Sequence, residues 1–293
     1  MTSFMMIVGG LLIGAPLAFA ASMYMGFKAP RNRQHGDPSD FDMAFEQVEI
    51  PTDQGLKLFG WHVLASSDPS NATLLIIHGW GANTQMMLPL AEPFYHAGIN
   101  ILLVDARNHG SSPEDGISSL PKFTSDAESS INWLKQRSGK EDGGRIALLG
   151  HSVGAGAALL AASRRDDIDA VISISSFAHP LLLMQRHLQR PYKSLIILRM
   201  MAPVVMAYTQ WLIGYKFDEI APMNALCKIS CPVLLVHGTK DEVIPLSDLR
   251  SIETNCPDKV PEVLLIEGAG HESIDKIKQH DKELVDFLQR NGF

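Results

Sequence analysis

Two short segments, Thr73–Ile77 and Asn100–Val104, are apolar at nearly every position, and this constrains the fold more than any other feature of the chain. A strand with one wet face alternates polar and apolar residues, so a continuous apolar run implies burial on both faces. Similar runs occupy 146–149, 170–174, 233–236 and 263–266. Helical patterning at 84–97, 123–137, 152–163, 246–254 and 275–289 separates most of them. Alternating strands and helices predict a mostly parallel sheet covered on both sides. Ahead of it, the alternation in 45–50 and 56–61 predicts an antiparallel hairpin, which brings the expected sheet to eight strands. A chain of 293 residues, 46% of them hydrophobic, can bury such a core.

One interval breaks the rhythm. Between about 175 and 232 no strand is evident. Apolar helical stretches at 181–188, 194–201 and 204–213 are separated by Pro191 and Pro203. They predict a helical cap at about 177–225, inserted over the carboxyl edge of the sheet. Its Met, Leu and Ile content suits an apolar binding surface or a membrane-facing patch. The plainer alternative is helices packed on the domain.

The amino terminus differs in kind. Residues 2–27 carry no charged side chain, and Lys28, Arg31 and Arg33 follow at once. That length crosses a bilayer as a helix. The cationic flank then places a cytoplasmic domain behind a membrane anchor at 1–28. The alternative is a signal peptide cleaved after Ala18-Phe19-Ala20, with export of the domain, although no Lys or Arg precedes the apolar stretch. Residues 29–42 are polar and contain Pro30, Gly36 and Pro38, which suits a linker to a domain at 43–293. A net charge of −7 without a basic run argues against nucleic acid as a partner. Three cysteines, Cys227, Cys231 and Cys256, make no disulfide framework and no CxxC metal pair. They are expected as buried free thiols, with a Cys227–Cys231 or Cys231–Cys256 bridge as the alternative.

The chemistry centres on Gly150-His151-Ser152-Val153-Gly154, which joins an apolar strand to an alanine-rich helix. A serine on so sharp a turn projects its hydroxyl beyond the strand tip, and the glycines relieve the crowding behind it. A hydroxyl is a poor nucleophile at neutral pH, so it needs a base, a group to orient that base, and donors for the developing oxyanion. His271, in a glycine loop after the strand at 263–266, is the candidate base. Asp241, in the turn after the strand at 233–236, is the candidate orienting acid, with Glu242 and Asp248 as substitutes. The order Ser, Asp, His along the chain fits one known arrangement of such groups. The backbone amide of Val153 is one expected oxyanion donor, helped by the helix dipole. The second is the amide of Trp80, with Gly79 behind it, in His78-Gly79-Trp80-Gly81. His151 is expected to point away from Ser152 as a packing residue, and His237 to close a strand end.

These features, with the turn Asp105-Ala106-Arg107-Asn108-His109-Gly110-Ser111-Ser112, make the chain from about Phe45 to Phe293 resemble an α/β hydrolase. Within that superfamily it is similar to the serine aminopeptidase and monoacylglycerol-lipase-like esterases. The resemblance implies hydrolysis through an acyl-enzyme with no metal or organic cofactor, and Asp105 and Arg107 as holders of loops. The substrate expected is a small-molecule carboxylic ester with a short to medium acyl chain. A peptidase should hold a substrate amine with cap carboxylates, yet no Asp or Glu lies between Phe177 and Lys216. Amide or peptide hydrolysis on the same machinery, and an idle membrane-tethered binding protein, are the alternatives.

Overall fold

The computed structural model describes residues 14, 17–65, 72–138, 144–192 and 196–293. Its centre is an eight-stranded sheet in the order β1-β2-β4-β3-β5-β6-β7-β8. β1 (Phe45–Pro51) and β2 (Lys57–Val63) form the expected antiparallel hairpin, in register from Phe45 opposite Val63 to Pro51 opposite Lys57. β2 also pairs antiparallel with β4 (Asn100–Val104). From β4 the pairing is parallel through β3 (Thr73–Ile77), β5 (Ile146–His151), β6 (Ala170–Ile174), β7 (Val233–Gly238) and β8 (Glu262–Ile266).

The apolar runs are buried at every position in β3, β4, β5, β6 and β7. Successive side chains serve opposite faces, as the pleat requires. Leu75, Ile77, Leu148 and Leu235 join one cluster, with α3 (Leu120–Ser138), α4 (Val153–Ala162) and α8 (Leu246–Thr254). Leu74, Ile76, Leu149 and Leu234 join the other, with α2 (Leu88–His96) and α10 (Asp281–Arg290). β8 lies at the sheet's edge, and only Ile266 of its five residues is buried.

The cap is simpler than its prolines suggest. α5 spans Pro180–Tyr192, and α6 runs from Ile196 through Pro203 to Ile213. A helical proline forfeits one backbone bond but already has a helical φ, so an apolar pattern continuing on both sides can carry the helix past it. A short α7 (Pro222–Leu226) leads back to the sheet. The segment at 275–289, in contrast, divides into α9 (Ile274–Lys278) and α10.

Most of the uncharged amino-terminal stretch, residues 1–13 with 15 and 16, lies outside the described residues. Residues 17–26 form a helix, α1, and no helix among the described residues is long and apolar enough to cross a membrane. The segment expected as a linker lies against the domain. Arg31 Nε donates to the Gly110 carbonyl at 2.9 Å, Asn32 Nδ2 to that of Gly81 at 2.8 Å, and Gln34 Nε2 to Thr84 Oγ1 at 3.1 Å. Its polar residues serve to bind loops, which composition cannot distinguish from solvation.

The cysteines also depart from expectation. Cys227, after α7, is bridged to Cys256, after α8, and Cys231 is free. α7 packs beside α8, which brings the two Cα atoms to 5.4 Å, inside the range a bridge needs. Proximity set by helix packing leaves no trace in the spacing of the cysteines. Burial pushes the Cys231 thiol up to about 11 and so keeps it slow to react. Denatured without reductant, the chain is expected to take one maleimide tag per molecule, and three after reduction, as read by mass spectrometry.

Candidate active site

Ser152 sits between β5 and α4 at φ 56° and ψ −115°, a left-handed conformation that only firm surroundings hold in a residue with a side chain. Two glycines provide the room. A Cβ at Gly150 would lie 2.1 Å from the Gly154 carbonyl oxygen, and one at Gly154 would lie 2.3 Å from the Ile77 carbonyl oxygen. The Ser152 N–H is bonded to the Ile174 carbonyl at 2.9 Å, which ties the turn to β6. The hydroxyl is left at the carboxyl end of the sheet.

The loops after β7 and β8 meet it there. His271 Nε2 lies 2.9 Å from Ser152 Oγ, and His271 Nδ1 lies 2.7 Å from Asp241 Oδ2. Asp241 Oδ1 accepts from the N–H groups of Val243 and Ile244 at 2.9 and 2.8 Å, so both carboxylate oxygens are engaged. Burial pushes the Asp241 carboxyl upward, but the His271 hydrogen bond and the Ile244 N–H outweigh it and hold the group below its ordinary value. A hydroxyl, an imidazole and an anionic carboxylate in one row can shift a proton from oxygen to nitrogen while the carboxylate stabilises the imidazolium.

Three other histidines brace this row. His237 Nε2 donates to the Ile244 carbonyl at 2.8 Å, closing the turn that carries Asp241, as expected. His151 departs from expectation. Its Nε2 donates to the His271 carbonyl at 2.9 Å and the two rings lie 5.1 Å apart, so it faces the histidine loop and does not point away. Alternation along β5 places it on the same face as Leu149 and Ser152 lies beyond the strand, but the path of the His271 loop exists only in three dimensions. His78 donates from Nδ1 to the Gly79 carbonyl at 2.7 Å and accepts at Nε2 from the Ala106 N–H at 3.0 Å. It thereby links the loops after β3 and β4. Asp105 strengthens that link by accepting from the N–H groups of Thr84 and Ser111, each at 2.7 Å. Arg107 pairs with the buried Asp126 at 2.6 Å, in keeping with its expected role as a loop holder.

A cavity of about 550 Å³ opens on Ser152 and His271. Trp80 and Val153 both line it, and Val153 is the first residue of α4, where a helix leaves its N–H groups without intrahelical partners. Gly79 packs against Ser152. The walls are apolar: Phe177, Leu183 and Met184 from the cap side, and Val243 and Ile244 opposite. Among the described residues Glu272 is the only Asp, Glu, Lys or Arg in the lining. The substitutes for Asp241 are placed elsewhere. Asp248 is buried under the cap, accepting from the Ala178 N–H at 2.8 Å and pairing with Arg186 of α5 at 2.5 Å, and Glu242 is exposed. Among the described residues no cluster of three His, Cys, Asp or Glu could hold a metal ion.

Sequence reasoning missed two parts of the site. Arg186, which fastens the cap through Asp248, is one of many cap cations and carries no distinguishing pattern. Three residues of α1, Ser22, Met23 and Gly26, and Phe27 just after it line the cavity although their stretch reads as a membrane segment.

A family model described as serine aminopeptidase, S33, matches residues 68–213. The chain is 27% identical to the Bacillus subtilis protein YqkD over 266 residues, covering 87% of this chain and 85% of that one. The Pyrococcus furiosus esterase Pf2001 superposes with a TM-score of 0.72 at 23% identity, covering 90% of this chain and 97% of the other. A puromycin-hydrolysing peptidase of Mycobacterium tuberculosis superposes with a TM-score of 0.66 at 15% identity, over 86% of this chain and 40% of the other.

Burial pushes His78 and His109 down to about 4, against 6.5 for a free histidine. Between those values the unfolded chain binds more protons than the folded one, so stability rises with pH. This contribution is complete above pH 6.5 and is lost as the pH falls through 4, on the order of several kcal/mol for the two together. Denaturant titrations at stepped pH should show that loss, and a flat profile from pH 7 to 4 would show that the two rings ionise freely.

Proposed function

We propose that the chain, which has the α/β-hydrolase fold, is a serine hydrolase cleaving carboxylic esters with short to medium acyl chains. The observation that carries this is the unbroken row from Ser152 Oγ through His271 to Asp241, with contacts of 2.9 and 2.7 Å, at the floor of an apolar cavity. Ser152 attacks the ester carbonyl carbon as His271 Nε2 takes its proton, and Asp241 stabilises the imidazolium. The N–H groups of Val153 and Trp80 receive the negative oxygen. His271 then protonates the departing alcohol, leaving an acyl-serine. Water, deprotonated by His271, attacks that ester and releases the acid and Ser152.

The fold alone does not choose between esters and amides, since structures of the same fold include an esterase and a peptidase. The cavity supports esters, because its walls offer hydrocarbon contacts. Peptide hydrolysis is the second reading, and Glu272 favours it as a carboxylate at the lining that could hold a substrate amine.

Membrane association remains part of this reading. Val204, Ala207 and Trp211 form an exposed stripe on α6, with Trp211 74% exposed. Residues 181–216 carry five Lys and Arg and no Asp or Glu, within a chain of net charge −7. An apolar stripe in a cationic segment suits the surface of an anionic bilayer. For location, the Cys227–Cys256 bridge supports a domain facing an oxidising compartment over a cytoplasmic one, because such bonds persist there.

A fluorophosphonate probe should label the protein, and Ser152→Ala should abolish labelling. Folded wild-type protein that resists the probe at neutral pH would leave the idle binding protein as the reading. Ser152→Ala and His271→Ala should each lower kcat by about 10⁴-fold or more on p-nitrophenyl esters. Faster turnover of aminoacyl arylamides than of esters, lost in Glu272→Gln, would establish the peptidase. Co-sedimentation with phosphatidylglycerol vesicles should weaken about tenfold in Trp211→Glu, which removes an apolar contact and adds a repelled charge, and equal binding would exclude this stripe as the contact.

A further inference from the structure

The helix α1 meets the domain at both ends. The Phe19 ring lies 5.7 Å from that of Tyr208 on α6, fixing the start of the helix to the cap. The Phe27 carbonyl accepts from the Ser118 N–H at 2.9 Å, and Arg31 then bonds the Gly110 carbonyl, fixing its end beside the loop after β4. Between these points Ser22, Met23 and Gly26 project along one helical face, with spacings of three and four residues. That face lines the cavity on Ser152, while Met25, 63% exposed, lies on another. The cap helix α5 supplies Leu183 and Met184 to the same cavity. A hydrocarbon chain attached to Ser152 would therefore lie between two helices, one of them from outside the resemblance to the superfamily.

Building on the ester-hydrolase reading, we infer that α1 is a wall of the acyl-binding site and that Gly26 sets the length of acyl chain admitted. A Cβ built at Gly26 meets no atom within 4 Å, and the residue's φ is not in the left-handed region. Gly26 lines the cavity and is itself exposed, so a side chain is accommodated by the backbone and narrows the cavity at its solvent-facing edge. Met23, one turn earlier, is half-buried and fills part of the same wall. Removing its thioether lengthens the available space, and adding a branched chain at residue 26 shortens it.

The test compares full-length Gly26→Leu, Met23→Ala and Met25→Ala proteins on p-nitrophenyl acetate and p-nitrophenyl octanoate. In Gly26→Leu the octanoyl-to-acetyl ratio of kcat/KM should fall about tenfold or more, the scale on which an apolar pocket discriminates methylene groups. In Met23→Ala the ratio should rise several-fold, and Met25→Ala should keep the wild-type ratio. Fluorophosphonate labelling of each protein separates the two levels of the argument. Normal labelling with an unmoved ratio in both Gly26→Leu and Met23→Ala overturns the acyl wall and leaves the hydrolase standing. Absence of labelling in wild type removes the hydrolase and the wall together.

Discussion

Helix α4 can begin where it does only because two residues beside its first turn have no side chain. The backbones of β5, α4 and the end of β3 meet at Gly150 and Gly154 at separations that leave no space for a Cβ. That contact forces the chain through φ 56° at Ser152, lifting its hydroxyl clear of the strand. It also buries α4 completely from Gly154 to Ala162, which explains why this helix is built from alanine, glycine and leucine with no polar face. The nucleophile candidate and the central helix of the core thus arise from one steric constraint, and neither can be altered without the other.

Around that turn the protein keeps its imidazoles neutral by burying them. His78, His151 and His237 each spend a ring nitrogen on a backbone carbonyl, of the next residue, of the His271 loop and of the Asp241 turn respectively. A charged ring in those positions would have to be solvated by groups already committed to other partners. Of the bonds these rings make, the one from the Ala106 N–H to His78 Nε2 exists only while the ring is unprotonated, since a protonated imidazole can donate to a carbonyl but cannot accept. Asp241 shows the opposite balance. Its burial alone would favour the neutral acid, but the N–H donors arranged around it retain the anion, which is the form able to orient an imidazole.

The sheet was legible in the sequence because double-sided burial demands uniform apolarity and a hairpin demands alternation. Ser152, Asp241 and His271 were legible because strand ends are places where a loop can present a side chain, and three such ends follow in one order along the chain. Other features had no local signature. Pro203 signals a break, yet α6 continues through it, because the ring already holds a helical φ and forfeits only one backbone bond. The Cys227–Cys256 bridge depends on α7 lying beside α8. His151 turns toward the histidine loop because that loop passes it, and the two are 120 residues apart in sequence.

Apolarity in residues 17–27 illustrates the limit most plainly. A segment without charge gains from apolar surroundings where it meets them, and that much the sequence determined by itself, as it determined the parallel sheet and the residues at its carboxyl end. Where the segment goes was decided by tertiary structure. Phe19 meets Tyr208, Phe27 meets Ser118, and the helix between them closes a cavity over Ser152. Hydrophobicity is non-directional and ranks environments only as wet or dry. Placing such a segment against the cavity over Ser152 requires a particular surface of matching shape, and that surface forms only when the cap, the loop after β4 and the sheet have assembled.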